Sequence, residues 1–187
     1  MIQCFIAKCN DIKLQRHYSK QLLRYSIKNV FKLEIEDEAI MRNQYGKPSF
    51  KNKEHIKFNI SHCNGLIACA VGLEEMGVDL ENIRSFDDYV VRRVCNMKEI
   101  NDIYSSHDSK RTFFTYWTMK ESLGKALGVG LHYPLRENEF IKNGDGYLCN
   151  YEGLKIKNYE IDNKFSLSIC TDKNQEIILK EVNLNGR

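Results

Sequence analysis

Two short stretches of this sequence carry residue types whose spacing suits chemistry on a phosphate group. In Gly77-Val78-Asp79-Leu80-Glu81, polar and apolar residues alternate. Read as a strand, the segment turns Asp79 and Glu81 to one face and Val78 and Leu80 to the other, because successive side chains point to opposite sides. Adjacent carboxylates repel unless a cation sits between them. Their oxygens suit a hard ion such as Mg²⁺, which takes a few carboxylates and fills its shell with water and phosphate. The same alternation also marks any half-buried strand with a solvated acidic face. The motif alone leaves both readings open.

The second stretch is Trp117-Thr118-Met119-Lys120-Glu121-Ser122-Leu123-Gly124-Lys125. On a helix, Trp117, Glu121 and Lys125 form one stripe. Glu121 would supply a third carboxylate, and Lys120 and Lys125 would hold phosphate oxygens as point charges. The plainer alternative is a surface helix with a Glu–Lys pair and a core tryptophan. A further segment, Phe58-Asn59-Ile60-Ser61-His62, sets Ser61 and His62 at the end of a strand. Neighbouring strand residues diverge, so these two are no nucleophile–base pair, and no Gly-x-Ser-x-Gly elbow surrounds Ser61. His62 either donates to phosphate or fills a structural role. Lys47, in Tyr45-Gly46-Lys47-Pro48, lies on a rigid turn and faces either a ligand or solvent.

These residues need elements to hold them. Strand patterns run over residues 2–7, 57–61, 66–72 and 78–81, the last two joined by a hairpin-length link. Residues 15–31 read as a helix, with Leu22, Leu23, Ile27, Val30 and Phe31 at helical spacing. Residues 89–94 form a short helix, and Asn96 with Glu99 makes a capping box for another. The strongest helix covers residues 109–127, stopped by Gly128 with Gly130 and Pro134 beyond. Strands follow at 139–142, 147–151, 154–161 and 164–170. This order implies an α+β fold with antiparallel sheets.

Composition narrows the class further. The 187 residues suffice for one core or two small lobes, and 42% hydrophobic with 28% charged residues is ordinary for a soluble globular chain. A formal net charge of +3 does not predict nucleic-acid binding and suits an acidic protein partner. No apolar run approaches the roughly 20 residues needed to cross a bilayer, and the N-terminus does not read as a signal peptide. The 7 cysteines are odd in number and lack CxxC or zinc-site spacing, so they read as reduced thiols of a cytoplasmic protein.

Taken in order, Gly46-Lys47-Pro48, Phe58-Asn59-Ile60-Ser61-His62, Gly77-Val78-Asp79-Leu80-Glu81 and Trp117-x-x-Lys120-Glu121-x-x-x-Lys125 resemble the 4′-phosphopantetheinyl transferases of the Sfp type. The resemblance spans residues 46–130. It implies two pseudo-twofold-related lobes, residues 1–76 and 77–187, each a helix packed on a small antiparallel sheet, with the active site between them. It also implies that Asp79, Glu81 and Glu121 bind Mg²⁺, and that His62, Lys120 and Lys125 contact phosphate. Lys47 and Ser61 would line the coenzyme A site, and Arg16 is the nearest match for a 3′-phosphate contact. The implied reaction moves 4′-phosphopantetheine from coenzyme A to a serine of an apo acyl or peptidyl carrier protein and releases 3′,5′-ADP. Glu121, Lys120 and His62 would be the catalytic set. Lys98, Lys110 and Arg111 would steer the acidic carrier to a monomeric enzyme. Cys63 stands where the family usually has Ser. Two other classes remain: a non-catalytic coenzyme A or carrier-protein binding relative, and another metal-dependent phosphoryl enzyme. The intact acids and lysines weigh against the first, and the lack of a second His/Asp cluster against the second.

Overall fold

The apolar run Ile2–Cys9 forms strand β1, and its alternating side chains serve two cores at once. The computed structural model describes residues 1–36, 40–132 and 134–184. Phe5 and Ala7 face helix α1 (Gln15–Phe31), which buries Leu22, Leu23 and Ile27 against them. Ile2, Cys4 and Ile6 face the opposite way, into a core shared with the second half of the chain. The period of two on a strand and of 3.6 on a helix makes this division automatic. A left-handed residue, Lys32 at φ 57°, ends α1.

The first sheet contains β1, β4 (Lys57–Cys63), β5 (Gly65–Gly72) and β11 (Ile177–Val182), in the order β11-β1-β5-β4. The second contains β6 (Met76–Asn82), β7 (Phe140–Asn143), β8 (Gly146–Cys149), β9 (Leu154–Ile161) and β10 (Phe165–Asp172), in the order β6-β10-β9-β8-β7. A small separate hairpin pairs β2 (Ile40–Arg42) with β3 (Pro48–Phe50). Helices α2 (Asp88–Val94), α3 (Met97–Ser105) and α4 (Ser109–Leu127) complete the fold.

The two lobes repeat one plan. Each has a first strand (β1, β6), a long helix (α1, α4) and a closing hairpin (β4–β5, β9–β10) whose last strand pairs antiparallel with the first. The chain passes between the two sheets twice. After β5, the chain crosses to begin the second sheet with β6. After β10, it crosses back, and β11 pairs parallel with β1 from Ile2↔Ile177 to Ala7↔Val182. The stretch 77–187 therefore does not stay in one sheet, because its last strand belongs to the first lobe. Tyr45-Gly46-Lys47-Pro48, expected only as a turn, forms the tip of the β2–β3 hairpin and the first residue of β3, and β11 has no clear pattern to reveal it.

The faces of the sheets opposite the long helices pack on each other. Val78, Leu80, Leu167 and Ile169 meet Ile2, Cys4, Ile6, Ala68 and Ala70 there, all essentially buried. Each such aliphatic side chain contributes about 1.5–3 kcal/mol by leaving water. This sheet-on-sheet core is why Asp79 and Glu81, at the intervening positions, must turn towards α4.

Helix α4 has the ends expected of it. The Asp108 carboxylate accepts from the Arg111 amide at 3.0 Å, and Gly128 closes the helix at φ 75°. Asn96 and Glu99 form the capping box of α3. Helix α4 lies unusually close to β6 because Gly77 has no side chain. A Cβ at that position would stand 1.9 Å from the Ser122 carbonyl oxygen and 2.3 Å from the Ala126 nitrogen. Both are backbone atoms and cannot rotate away. Gly77→Ala is therefore expected to cost about 3 kcal/mol or more, read from the shift of the urea midpoint; an unchanged midpoint would mean that α4 does not rest on this glycine.

Candidate functional site

Strand β6 places Asp79 and Glu81 on the face of the second sheet that α4 covers. In register with them across the sheet stand Ser168 and Asn158, and Ser166 and Glu160. Thr118 of α4 meets this polar surface, 2.9 Å from the Ser166 hydroxyl and 2.8 Å from that of Ser168. Asn158 donates to both serines, at 2.9 and 3.0 Å. One turn further along α4, Glu121 enters the electrostatic field of Asp79 and Glu81.

Asp79 is almost wholly buried, and its two oxygens are treated differently. Oδ1 accepts from Lys125 Nζ at 2.7 Å and from the Ser61 hydroxyl at 3.1 Å. Oδ2 is buried and bare of hydrogen-bond partners. Glu121 Oε1 is likewise buried and bare. Burial, and then the Asp79 charge, push the Glu121 carboxyl up to about 7, Glu81 adding to the rise and Lys125 opposing it. Glu81, more open, is held by Arg84 Nη1 at 2.8 Å. Lys125 also donates to the Ser61 hydroxyl at 3.1 Å and to the Val78 carbonyl at 3.0 Å.

Bare buried carboxylate oxygens are rare because they cost free energy. Two of them in one acidic cluster fit a hard cation. The fit is one of donor chemistry and charge: among the described residues, no three His, Cys, Asp or Glu side chains already stand together as a ligand cage. Lys125 and Arg84 hold one oxygen each of Asp79 and Glu81, so positive charge from the chain itself keeps the acids together.

The other expected site residues divide into two groups. His62 is exposed at the end of β4, on the opposite side of the strand from Ser61. Gln15 Nε2 donates to the Cys63 carbonyl at 2.8 Å, which brings the first turn of α1, and the exposed Arg16 with it, beside that strand end. These two stand open to a ligand. Lys47, Lys120 and Ser61 do not. Lys47 Nζ donates to Glu75 Oε2 at 2.6 Å and to the Ala126 carbonyl at 2.8 Å, tying the β2–β3 hairpin to the end of α4. It borders a cavity of about 270 Å³ with Met41, Lys57, Phe58 and Glu75. The Ser61 hydroxyl is fully engaged inside the junction.

Lys120 departs most from expectation. Its side chain is 1% exposed and its ammonium pairs with Glu99 Oε1 at 2.9 Å. It also donates to the Leu135 carbonyl at 2.7 Å and lies 5.2 Å from the centre of the Phe140 ring. Consecutive helix residues differ by about 100° in direction, so Lys120 leaves Glu121 behind and anchors α3 to α4. Glu99 thus has two duties, since its Oε2 accepts from the Asn96 amide at 2.9 Å in the capping box. Burial raises the Glu99 carboxyl, with Lys120 opposing. The sequence signalled the cap but not the ion pair. Trp117 is half-buried and packs against a core cluster, its ring 6.0 Å from that of Phe113.

Residues 75–180 match the model of the 4′-phosphopantetheinyl transferase superfamily. The chain belongs to that superfamily. It is an enzyme of the phosphopantetheinyl transferase class, and its relatives share most of its length. It is 27% identical over 183 residues to the 4′-phosphopantetheinyl transferase Sfp of Bacillus subtilis, covering 89% of this chain and 82% of that one. A second Bacillus subtilis relative, 4′-phosphopantetheinyl transferase ffp, is 26% identical and covers 90% and 83%. A solved holo-(acyl-carrier-protein) synthase from Bacillus anthracis, in complex with CoA (3′,5′-ADP), overlays 52% of this chain and 94% of its own with a TM-score of 0.46 and 15% identity. That overlay is too loose to bear on function. The superfamily match runs from the start of β6 to β11 and so takes in Asp79, Glu81, Glu99, Glu121 and Lys125.

Two measurements probe this transferase's charge arrangement without substrate. Glu121 binds its proton more tightly folded than unfolded, so stability falls as pH rises from about 4.5 to about 7. Urea unfolding across that range should show Glu121→Gln lacking up to about 3 kcal/mol of the wild-type loss; identical slopes in both proteins would place Glu121 in water. Glu99→Ala leaves a buried ammonium unpaired and should cost about 3–5 kcal/mol. A cost near zero by denaturant melt would mean that the Lys120–Glu99 pair is not buried in solution.

Proposed function

We propose that this chain transfers the 4′-phosphopantetheine arm of coenzyme A to a serine of an apo acyl or peptidyl carrier protein, releases 3′,5′-ADP, and depends on Mg²⁺ to do so. The observation that carries the proposal is the pair of buried, unpartnered oxygens, Asp79 Oδ2 and Glu121 Oε1, in one acidic cluster with Glu81. Asp79, Glu81 and Glu121 are the residues that would hold the ion. When bound, it supplies positive charge to the pyrophosphate oxygens.

The chain's own groups do the rest. The acceptor serine hydroxyl attacks the β-phosphorus of coenzyme A. A new P–O bond forms to the serine, the bond to the α-phosphate side breaks, and the electron pair leaves with 3′,5′-ADP. Glu121 takes the serine proton, directly or through a water. The open His62 offsets phosphate charge directly, and Lys125, its three donors taken by Ser61, Val78 and Asp79, adds its charge from there. Arg16 reaches the 3′-phosphate from the first turn of α1. Lys120, committed to Glu99, contributes by fixing α4 rather than by touching phosphate.

The carrier is an acidic helical domain. Of the basic residues expected to steer it, Arg111 is tied to Asp108 at 3.2 Å and also pairs with Glu160, whereas Lys98 and Lys110 are exposed. The enzyme acts as a cytoplasmic monomer. All 7 cysteines are free thiols, six of them buried, which supports a reducing compartment. Among the described residues, no helix is long and apolar enough to cross a membrane.

Incubating the protein with an apo carrier protein, coenzyme A and Mg²⁺ should add the phosphopantetheine mass to the carrier, read by mass spectrometry. Asp79→Asn and Glu121→Gln should each lower the rate about 10²-fold or more while leaving the fold intact. Coenzyme A binding without transfer to any of several carriers would favour a binding relative. Release of inorganic phosphate without a carrier would favour a different phosphoryl enzyme.

A further inference from the structure

Strands β4 and β6 run beside each other at the junction of the lobes, yet they belong to different sheets. What links them is side chain to main chain. Asn59 Oδ1 accepts from the Val78 amide at 2.8 Å, and Ser61 Oγ accepts from the Leu80 amide at 3.2 Å. Both pairs are buried. The donors are two residues apart on β6 and the acceptors two residues apart on β4, so both acceptors lie on one face of their strand. Together they satisfy amides at the edge of β6 that would otherwise be buried and unpaired.

Ser61 does more than satisfy an amide. A hydroxyl has one proton to give and two lone pairs to accept with. Here the proton goes to Asp79 Oδ1 at 3.1 Å, and the lone pairs receive the Leu80 amide at 3.2 Å and Lys125 Nζ at 3.1 Å. Its capacity is exhausted. Asp79 Oδ1 is thereby held by two donors, and the carboxylate cannot turn without breaking both bonds. Oδ2 is then the oxygen left bare in the acidic cluster.

We infer that Asn59 and Ser61 are positioning residues: a two-rung side-chain ladder that sets β6 against β4 and fixes the Asp79 carboxylate, with no contact from Ser61 to coenzyme A. This rests on the proposed role of Asp79. It departs from the sequence expectation that Ser61 lines the coenzyme A site. It also explains why the strands do not fuse into one sheet. A main-chain ladder would bring them to about 4.8 Å, whereas here both rungs run from side chain to main chain.

The test uses the full chain and four proteins: wild type, Ser61→Ala, Ser61→Thr and Asn59→Ala. Amide exchange followed by NMR should show Leu80 losing about tenfold protection in Ser61→Ala, and Val78 losing about tenfold in Asn59→Ala, while β10 amides keep theirs. Ser61→Thr retains a hydroxyl and should restore Leu80. In transfer assays, Ser61→Ala should lower kcat, Ser61→Thr should recover it, and the Kd for coenzyme A by calorimetry should be unchanged in both. A weakened Kd with kcat held would make Ser61 a coenzyme A contact and overturn the inference. Unaltered Leu80 and Val78 protection would overturn the ladder. If wild type transfers nothing to any carrier, the functional reading fails, while the exchange and calorimetric data still decide the roles of Asn59 and Ser61.

Discussion

Asp79, Glu81 and Glu121 lie within electrostatic reach of one another where much of the water is excluded, and like charges in such a place repel strongly. The surrounding structure follows from that repulsion. Lys125 takes one oxygen of Asp79 and Arg84 one oxygen of Glu81, so the chain brings its own cations to the cluster. They do not neutralise it. Asp79 Oδ2 and Glu121 Oε1 stay bare, and the Glu121 carboxyl rises, first because it is buried and then because of the Asp79 charge. A group so disfavoured in its charged form answers strongly to an added cation. The cost of assembling the cluster would thus also favour the cation proposed to bind there.

Holding the acids in place requires rigid elements from both lobes. The apolar side of β6 is pressed into the sheet-on-sheet core by Val78 and Leu80. Its acidic side is roofed by α4, which Gly77 admits to close range. Its free edge is met by Asn59 and Ser61 from β4. Three kinds of contact therefore converge on seven residues of strand. The return of the chain after β10 to pair β11 with β1 ties the lobes together, and pulling them apart would also open the core.

Much of this could be read from residue order, and the limits are instructive. The alternation of residues 77–81 correctly put Asp79 and Glu81 on one face, because strand geometry leaves no other choice. Helices α1 and α4 keep their expected ends; in α4 a left-handed glycine and a capping aspartate act locally. Strand β11 escaped notice because Ile177-Ile178-Leu179-Lys180-Glu181-Val182 does not alternate cleanly and its partner lies at the other end of the chain. The direction of Lys120 was illegible for a related reason. Whether a lysine faces phosphate or a buried glutamate depends on where α3 docks, and that is decided by tertiary packing. The Lys47 turn is legible locally, but its attachment to Ala126 and Glu75 joins residues far apart in sequence. Asn59 and Ser61 do leave a trace: polar residues at strand spacing, alternating with Phe58 and Ile60.

Helix α4 shows how one element can serve several ends without conflict. Thr118 anchors it to Ser166, Ser168 and Asn158. Lys120 ties it to α3 through Glu99. Glu121 and Lys125, four residues apart, share the side that meets Asp79. Lys120 and Glu121 are neighbours of opposite charge, yet each finds its partner elsewhere. Had Lys120 turned towards the acids, a third cation from the chain would sit in the cluster beside Lys125 and Arg84. The bare oxygens would then be satisfied internally, and little would remain for an incoming ion or for the proton of an acceptor hydroxyl. Sending that lysine to Glu99 removes both charges from the site while using them to brace its roof. The under-compensated acidic centre is therefore a product of α4's rotation about its own axis, fixed on one side by the Thr118 hydroxyl contacts and on the other by a buried ion pair.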